Sequence, residues 1–229
     1  MTEDLQYDQI PMDFSFYTKK TLDNFIIGGN QDLHDSLVGL NNSNHLILIY
    51  GPKSSGKSHL CAALTNSIHE NVIKIDCDIN LESQFFLDFY DLVIIDDIDK
   101  LLLNPCNEEA LFTVINNQIL NKKSTIVTST KELKISDFTL NDLHSRLFSD
   151  KIYRILDLSD KDKISLMISY CSERGLEVSE KVLNYIINNC SRDLYFLCAF
   201  IKSLDYASLS TKRRVTIPFI KKAIKNLST

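Results

Sequence analysis

The chain has 229 residues, a length suited to one αβ core with a small appended domain and sufficient to bury a core of its own. Hydrophobic residues make up 44% and charged residues 24%, ordinary globular values. The formal net charge of −5 argues against wrapping nucleic acid over the whole surface, although a local basic patch could still meet phosphate.

The N-terminus is acidic and lacks the apolar stretch of a secretory signal. No apolar run nears the ~20 residues needed to cross a membrane. A soluble, cytoplasmic protein is therefore expected, with no membrane partner. Cys61, Cys77, Cys106, Cys171, Cys190 and Cys198 stand singly in apolar stretches without CxxC spacing. They read as reduced, buried thiols, not as disulfides or a zinc site.

In chain order, residues 1–20 form an extended lead with scattered aromatics and Pro11, lacking a helical or strand period. Strands are expected at 46–50, 72–76, 92–95, 125–128 and 152–156. Their apolar runs are continuous, not alternating, which marks strands buried on both faces of a parallel sheet. Helices are expected at 57–68 and at 108–121, the latter opening with Glu108 and Glu109. This alternation predicts a three-layer αβα fold over residues 21–156. Beyond Asp157 the strands stop. Ser159 with Asp162 is a helix start with an acid at its third position, and Gly175 suits a left-handed helix end. Ser179 caps a further helix striped with Val182, Leu183, Ile186 and Ile187. Helices over 192–209 and from Pro218 complete a small helical domain, residues 157–229.

Gly51-Pro52-Lys53-Ser54-Ser55-Gly56-Lys57-Ser58 fulfils the pattern GxxxxGK[ST], with a strand before it and a helix after it. Glycines there let backbone N–H groups face phosphates, and the helix N-terminus favours anions. Lys57 would neutralise β- and γ-phosphates, and the Ser58 hydroxyl would ligate Mg²⁺. The run Leu92-Val93-Ile94-Ile95 ends in Asp96 and Asp97 at the sheet edge beside that loop. Asp96 would hold Mg²⁺ through water, and Asp97 would orient a water for hydrolysis. The cofactors expected are ADP or ATP with Mg²⁺.

The loop continued through His59-Leu60 resembles that of the DnaA initiator branch of AAA+ ATPases, as does Asp96-Asp97-Ile98. Thr21-Leu22-Asp23-Asn24-Phe25 resembles the branch's entry segment, which helps enclose adenine. Thr128-Ser129-Thr130 falls where its sensor-1 strand ends. The resemblance thus implies that His59, Phe25 and Ser129 belong to the nucleotide site. Asp142-Leu143-His144-Ser145-Arg146-Leu147 is similar to the box carrying the arginine finger, and the ending from Thr211 to Lys221 is similar to that of the Hda proteins, short relatives that switch the initiator off. Gln9-Ile10-Pro11-Met12-Asp13-Phe14 resembles the hexapeptide that docks on the replication sliding clamp. Gln9, Ile10, Met12 and Phe14 would then be partner contacts. The implied activity is to stimulate ATP hydrolysis by DnaA, with Arg146 acting in trans. On spacing alone Arg146 reads as an ordinary surface salt bridge.

The chain departs from the initiator pattern at three places. Tyr195 stands where the sensor-2 arginine is expected. Arg192, one turn earlier, either reaches the phosphates or is a surface residue. Thr130 and Asp142 also differ, replacing an acid and an arginine, and all three point to altered or weak self-hydrolysis. Two other readings stay open: a stand-alone ATPase such as a helicase loader, and a DNA-binding factor with non-specific contact through Lys212, Arg213, Arg214, Lys221, Lys222 and Lys225. Self-association is also compatible with the sequence.

Overall fold

The computed structural model describes residues 20–42, 44–67, 71–76, 87 and 89–227, with the side chains of residues 41, 42 and 225–227 set aside. Helix α1 (Gln31–Val38) precedes β1 (Leu46–Tyr50), α2 (Lys57–Ser67), β2 (Val72–Ile75) and β3 (Leu92–Ile95). Then come α3 (Ile98–Leu101), α4 (Cys106–Leu120), β4 (Ser124–Ser129), α5 (Asn141–Leu147) and β5 (Lys151–Arg154). Four further helices follow: α6 (Asp160–Glu173), α7 (Glu180–Asn189), α8 (Leu194–Thr211) and α9 (Ile217–Leu227).

All strand pairs are parallel, in the order β2-β3-β4-β1-β5. Strands β1, β3 and β4 are central and almost wholly buried, as their unbroken apolar runs require. At the edge, β5 alternates half-buried and exposed residues, so only one of its faces is covered. It begins at Lys151, one residue before the expected strand.

Successive residues of a strand face opposite sides of the sheet. One side buries Leu46, Leu48, Val93, Ile95 and Val127 against α4 and α5. The other buries Ile47, Ile49, Ile94 and Ile126 against Leu60, Cys61 and Leu64 of α2 and Leu33 and Leu37 of α1. Three layers result. A separate core formed by α6–α9 packs Met167, Leu183, Ile186, Phe200, Leu204 and Ile220. The expected start of α6 is present: Ser159 Oγ accepts from Asp162 N at 3.2 Å, and Ser159 N donates back to the Asp162 carboxylate at 3.3 Å. Gly175 takes φ +65° just after the helix ends. The 192–209 helix instead starts at Leu194, because the Asp193 side chain accepts from Phe196 N at 2.8 Å and caps it there. Arg174 and Asp205 link α6 to α8 at 2.8 Å.

The described cysteines are all free, and Cys61 and Cys171 are buried. Cys106 departs from the expectation of buried thiols: it opens α4 and is exposed. Cys77 lies outside the described residues. Among the described residues no helix is long and apolar enough to cross a membrane.

Glu108, expected only as a helix-start acid, has a second role. It is 1% exposed, and its carboxylate accepts from the backbone N–H of Thr139 at 2.9 Å and of Leu140 at 2.7 Å. It thereby fixes the segment entering α5. Glu108→Ala would orphan both donors, and a loss of about 2–3 kcal/mol in unfolding free energy is expected by urea titration. Glu108→Gln, able to accept one of the bonds, should fall between.

Candidate functional site

Beyond the C-terminal ends of the parallel strands, a cleft of about 520 Å³ separates the αβα core from helices α6 and α8. Its floor is the loop after β1. Ser54 and Gly56 take positive φ, 61° and 103°, which turns the loop back towards the start of α2. At Gly51 a Cβ would stand 2.3 Å from Ile155 Cγ2, so only glycine lets the loop leave β1 against β5. Lys53, Ser54, Ser55, Gly56, Lys57, Ser58 and His59 all line the cleft.

The Lys57 ammonium donates to Gly51 O at 2.7 Å and Pro52 O at 2.8 Å. Burial lowers its pKa, against the raising effect of the carboxylates of Asp97, Asp96 and Asp99. His59 joins the loop helix to the entry segment. Its Nε2 lies 3.2 Å from Thr21 O and 3.1 Å from Asn24 Oδ1. Burial depresses its pKa, which favours the neutral ring. Thr21 and Asn24 are tied together by reciprocal bonds, Thr21 N to Asn24 Oδ1 at 2.9 Å and Asn24 N to Thr21 Oγ1 at 3.2 Å.

Several expected residues stand elsewhere. Phe25 is buried and does not line the cleft; it supports Gly56, where an added Cβ would meet Phe25 Cε2 at 3.1 Å. Ile26 and Asn24 line the cleft instead. Ser129 is buried with its hydroxyl donating to Lys131 O at 2.7 Å, and Thr130 is the strand-end residue facing the cleft. Strand alternation explains this shift by one residue. Arg192 precedes α8, does not line the cleft, and pairs with exposed Asp160 at 3.4 Å. Tyr195 does line it, with Leu194 and Cys198 of α8 and Leu166, Tyr170 and Glu173 of α6.

The two acids after β3 are both engaged. Asp97 is left-handed at φ 52°, lines the cleft, and holds the Lys100 ammonium at 2.6 Å. Asp96 is 7% exposed. Its Oδ1 accepts from Thr128 Oγ1 at 2.6 Å, while its Oδ2 meets the Lys74 ammonium at 2.8 Å. Burial would raise the Asp96 pKa, but hydrogen bonds from Lys74 and Thr128 outweigh it and hold the carboxyl below the usual range. Lys74 also reaches Asp76 at 2.7 Å; burial opposes its charge, yet the bonds to Asp76 and Asp96 raise its pKa.

This arrangement bears on the metal expectation. Ser58 faces the cleft, but Asp96 does not line it and has a cation on one carboxylate oxygen and a hydroxyl on the other. The donor set does not fit a magnesium ion held through Asp96. Lys74 is the residue of this site that sequence signals barely mark. Its one signal was a lysine inside the apolar run Val72-Ile73-Lys74-Ile75.

Arg146 lies in the last turn of α5, exposed, beside a cavity of about 310 Å³ shared with Phe112, Asp142, Ser145 and Ser149. No carboxylate lies within ion-pair distance of its guanidinium among the described residues. The side chains of Lys212, Arg213, Arg214, Lys221 and Lys222 are exposed. Gln9, Ile10, Met12 and Phe14 lie outside the described residues.

Comparison with known proteins gives three kinds of likeness. Residues 160–224 match the family model "Hda, lid domain". An uncharacterized protein of Haemophilus influenzae is 32% identical, over 94% of this chain and 98% of the relative. Among solved structures, domain III of DnaA from Thermotoga maritima superposes with a TM-score of 0.79 at 21% identity, covering 91% of this chain and 96% of that one. AMPPCP-bound DnaA from Aquifex aeolicus gives 0.71 at 24% identity over 81% of this chain, which spans only 64% of that longer protein. At these identities the two structures speak to the fold alone.

Proposed function

Because this chain belongs to the Hda/DnaA-related AAA+ family, we propose that it is a regulator of replication initiation that activates ATP hydrolysis on DnaA. The proposed arrangement is a nucleotide-binding core over residues 21–156, a helical lid over 157–229, and an N-terminal segment that docks on the sliding clamp. ADP or ATP would occupy the cleft under the lid, its phosphates met by Lys57 and the loop amides. Arg146 would project into the ATP site of a neighbouring initiator molecule and stabilise the charge that develops as the γ-phosphate leaves.

The observation that carries this reading is the position of Arg146. The parallel strands place the phosphate loop at their C-terminal ends. Asp150, four residues after Arg146, accepts from Leu46 N at 3.0 Å at the opposite end of β1. Five strand residues separate the two ends, roughly 17 Å. Close to that end in sequence, Arg146 is taken to serve a neighbour's phosphates, not the chain's own, and it is exposed without a carboxylate partner among the described residues. That supports action in trans over the surface salt bridge that spacing alone suggested. The engagement of Asp96 by Lys74 and of Asp97 by Lys100 argues against the stand-alone ATPase.

The test is single-turnover hydrolysis of ATP preloaded on DnaA, with clamp-loaded DNA and this protein added. Acceleration is expected with both present and not with either alone. Absence of any acceleration would overturn the reading. The docking element is tested separately. The doubly substituted Gln9→Ala, Phe14→Ala chain should lose clamp pull-down by at least about tenfold, since such apolar and amide anchors dominate short-peptide docking.

A further inference from the structure

Lys74 and Asp96 face the same side of the sheet. In the parallel register Lys74 stands opposite Ile94, and strand alternation puts Asp76, Asp96 and Thr128 on that same α2-facing side. The result is a fixed row: Asp76 to Lys74 at 2.7 Å, Lys74 to Asp96 at 2.8 Å, and Thr128 to Asp96 at 2.6 Å. The Asp96 carboxylate sits under α2, with the Cys61 thiol 3.8 Å away. Its two oxygens are engaged by Thr128 and Lys74.

A divalent cation gains from a nearby carboxylate because that charge is uncompensated. Here it is already compensated by an ammonium in direct contact. A magnesium ion approaching Asp96 through a water would meet repulsion from Lys74 over a few ångströms in a partly buried setting, where screening by solvent is weak. Magnesium also dehydrates reluctantly and demands near-octahedral geometry, so a carboxylate with both oxygens already engaged is a poor support. The cleft also carries cationic groups for phosphates: Lys20, Lys53 and Lys57 line it, with Lys100 held by Asp97.

We propose that the Lys74 ammonium takes the place of a divalent cation at Asp96, so that this chain holds a nucleoside diphosphate without needing magnesium. The inference rests on the nucleotide-binding reading above and concerns how that site is neutralised. It makes Lys74 a positioning residue: it acts through Asp96 and touches no phosphate.

The experiment is a fluorescence titration of the full chain with mant-ADP, in excess magnesium and in EDTA. For the wild type the two dissociation constants are expected to agree within about threefold. In Lys74→Met the freed carboxylate repels the diphosphate unless a metal covers it, so EDTA should weaken binding by about tenfold or more relative to magnesium. Asp96→Asn combined with Lys74→Met removes both charges and should restore insensitivity. A second readout is Mn²⁺ EPR with ADP present. The wild-type complex should hold no more manganese than ADP chelates by itself, and Lys74→Met should immobilise more. The proposal is overturned if wild-type affinity falls tenfold or more in EDTA, if wild type immobilises manganese beyond the ADP-alone control, or if Lys74→Met behaves as wild type. The wild-type arms need no variant, so a poorly folding Lys74→Met leaves the proposal exposed to them. Absence of mant-ADP uptake in both buffers would instead sink the nucleotide-binding reading, and this inference with it.

Discussion

Arg146→Ala is expected to abolish stimulation of initiator ATP hydrolysis, with a fall of about 10³-fold or more in the accelerated rate. The magnitude follows from where the guanidinium acts. An arginine finger meets charge that grows only as the γ-phosphate leaves, in a site from which water is excluded, and its loss is felt in the barrier. The chain's own stability should barely change, within about 0.5 kcal/mol, because Arg146 is exposed and has no carboxylate partner among the described residues. That pairing of results separates a finger from a structural arginine. Arg146→Lys keeps the charge but loses the planar fork, so it should recover only part of the rate. Stimulation by Arg146→Ala equal to that of wild type would refute the assignment.

Lys57→Ala should reduce adenine-nucleotide uptake by at least about 100-fold in calorimetric titration. Two charge-assisted bonds to phosphate, each worth about 1.5–3 kcal/mol, account for such a loss, since 1.4 kcal/mol is a factor of ten. In this structure the ammonium instead donates to Gly51 O and Pro52 O, so it also braces the loop. Lys57→Ala therefore removes a brace as well as a charge, and a modest drop in melting temperature should accompany the lost uptake. Lys57→Met, which fills the space without the charge, separates the two contributions: packing recovers while uptake stays low. Retention of wild-type uptake by both variants would show that the cleft does not hold phosphate.

Much of the fold was legible because the relevant interactions are local or periodic. Leu46-Ile47-Leu48-Ile49-Tyr50 and Leu92-Val93-Ile94-Ile95 read as strands covered on both faces, and are. Gly56, at φ 103°, and the strand-loop-helix order around it made the loop readable. Ser159 with Asp162 announced α6 through a bond spanning three residues. At the end of β4 the motif alone points to Ser129, but the pleat buries it and presents Thr130. Phe25 packs against Gly56, inside the loop itself. The Asp193 cap leaves Arg192 outside α8.

The sequence by itself determined the αβα layering, the helical lid and the phosphate loop, because each depends on residues within a few positions of one another. Tertiary structure alone decided which charges meet. Lys74 and Asp96 are 22 positions apart on adjacent strands, and Glu108 reaches Leu140 across 32 positions. From sequence Lys74 is only a lysine inside the apolar run Val72-Ile73-Lys74-Ile75. Only the parallel register, which sets β2 beside β3 with alternate residues on one face, turns it into the counter-charge of a buried carboxylate.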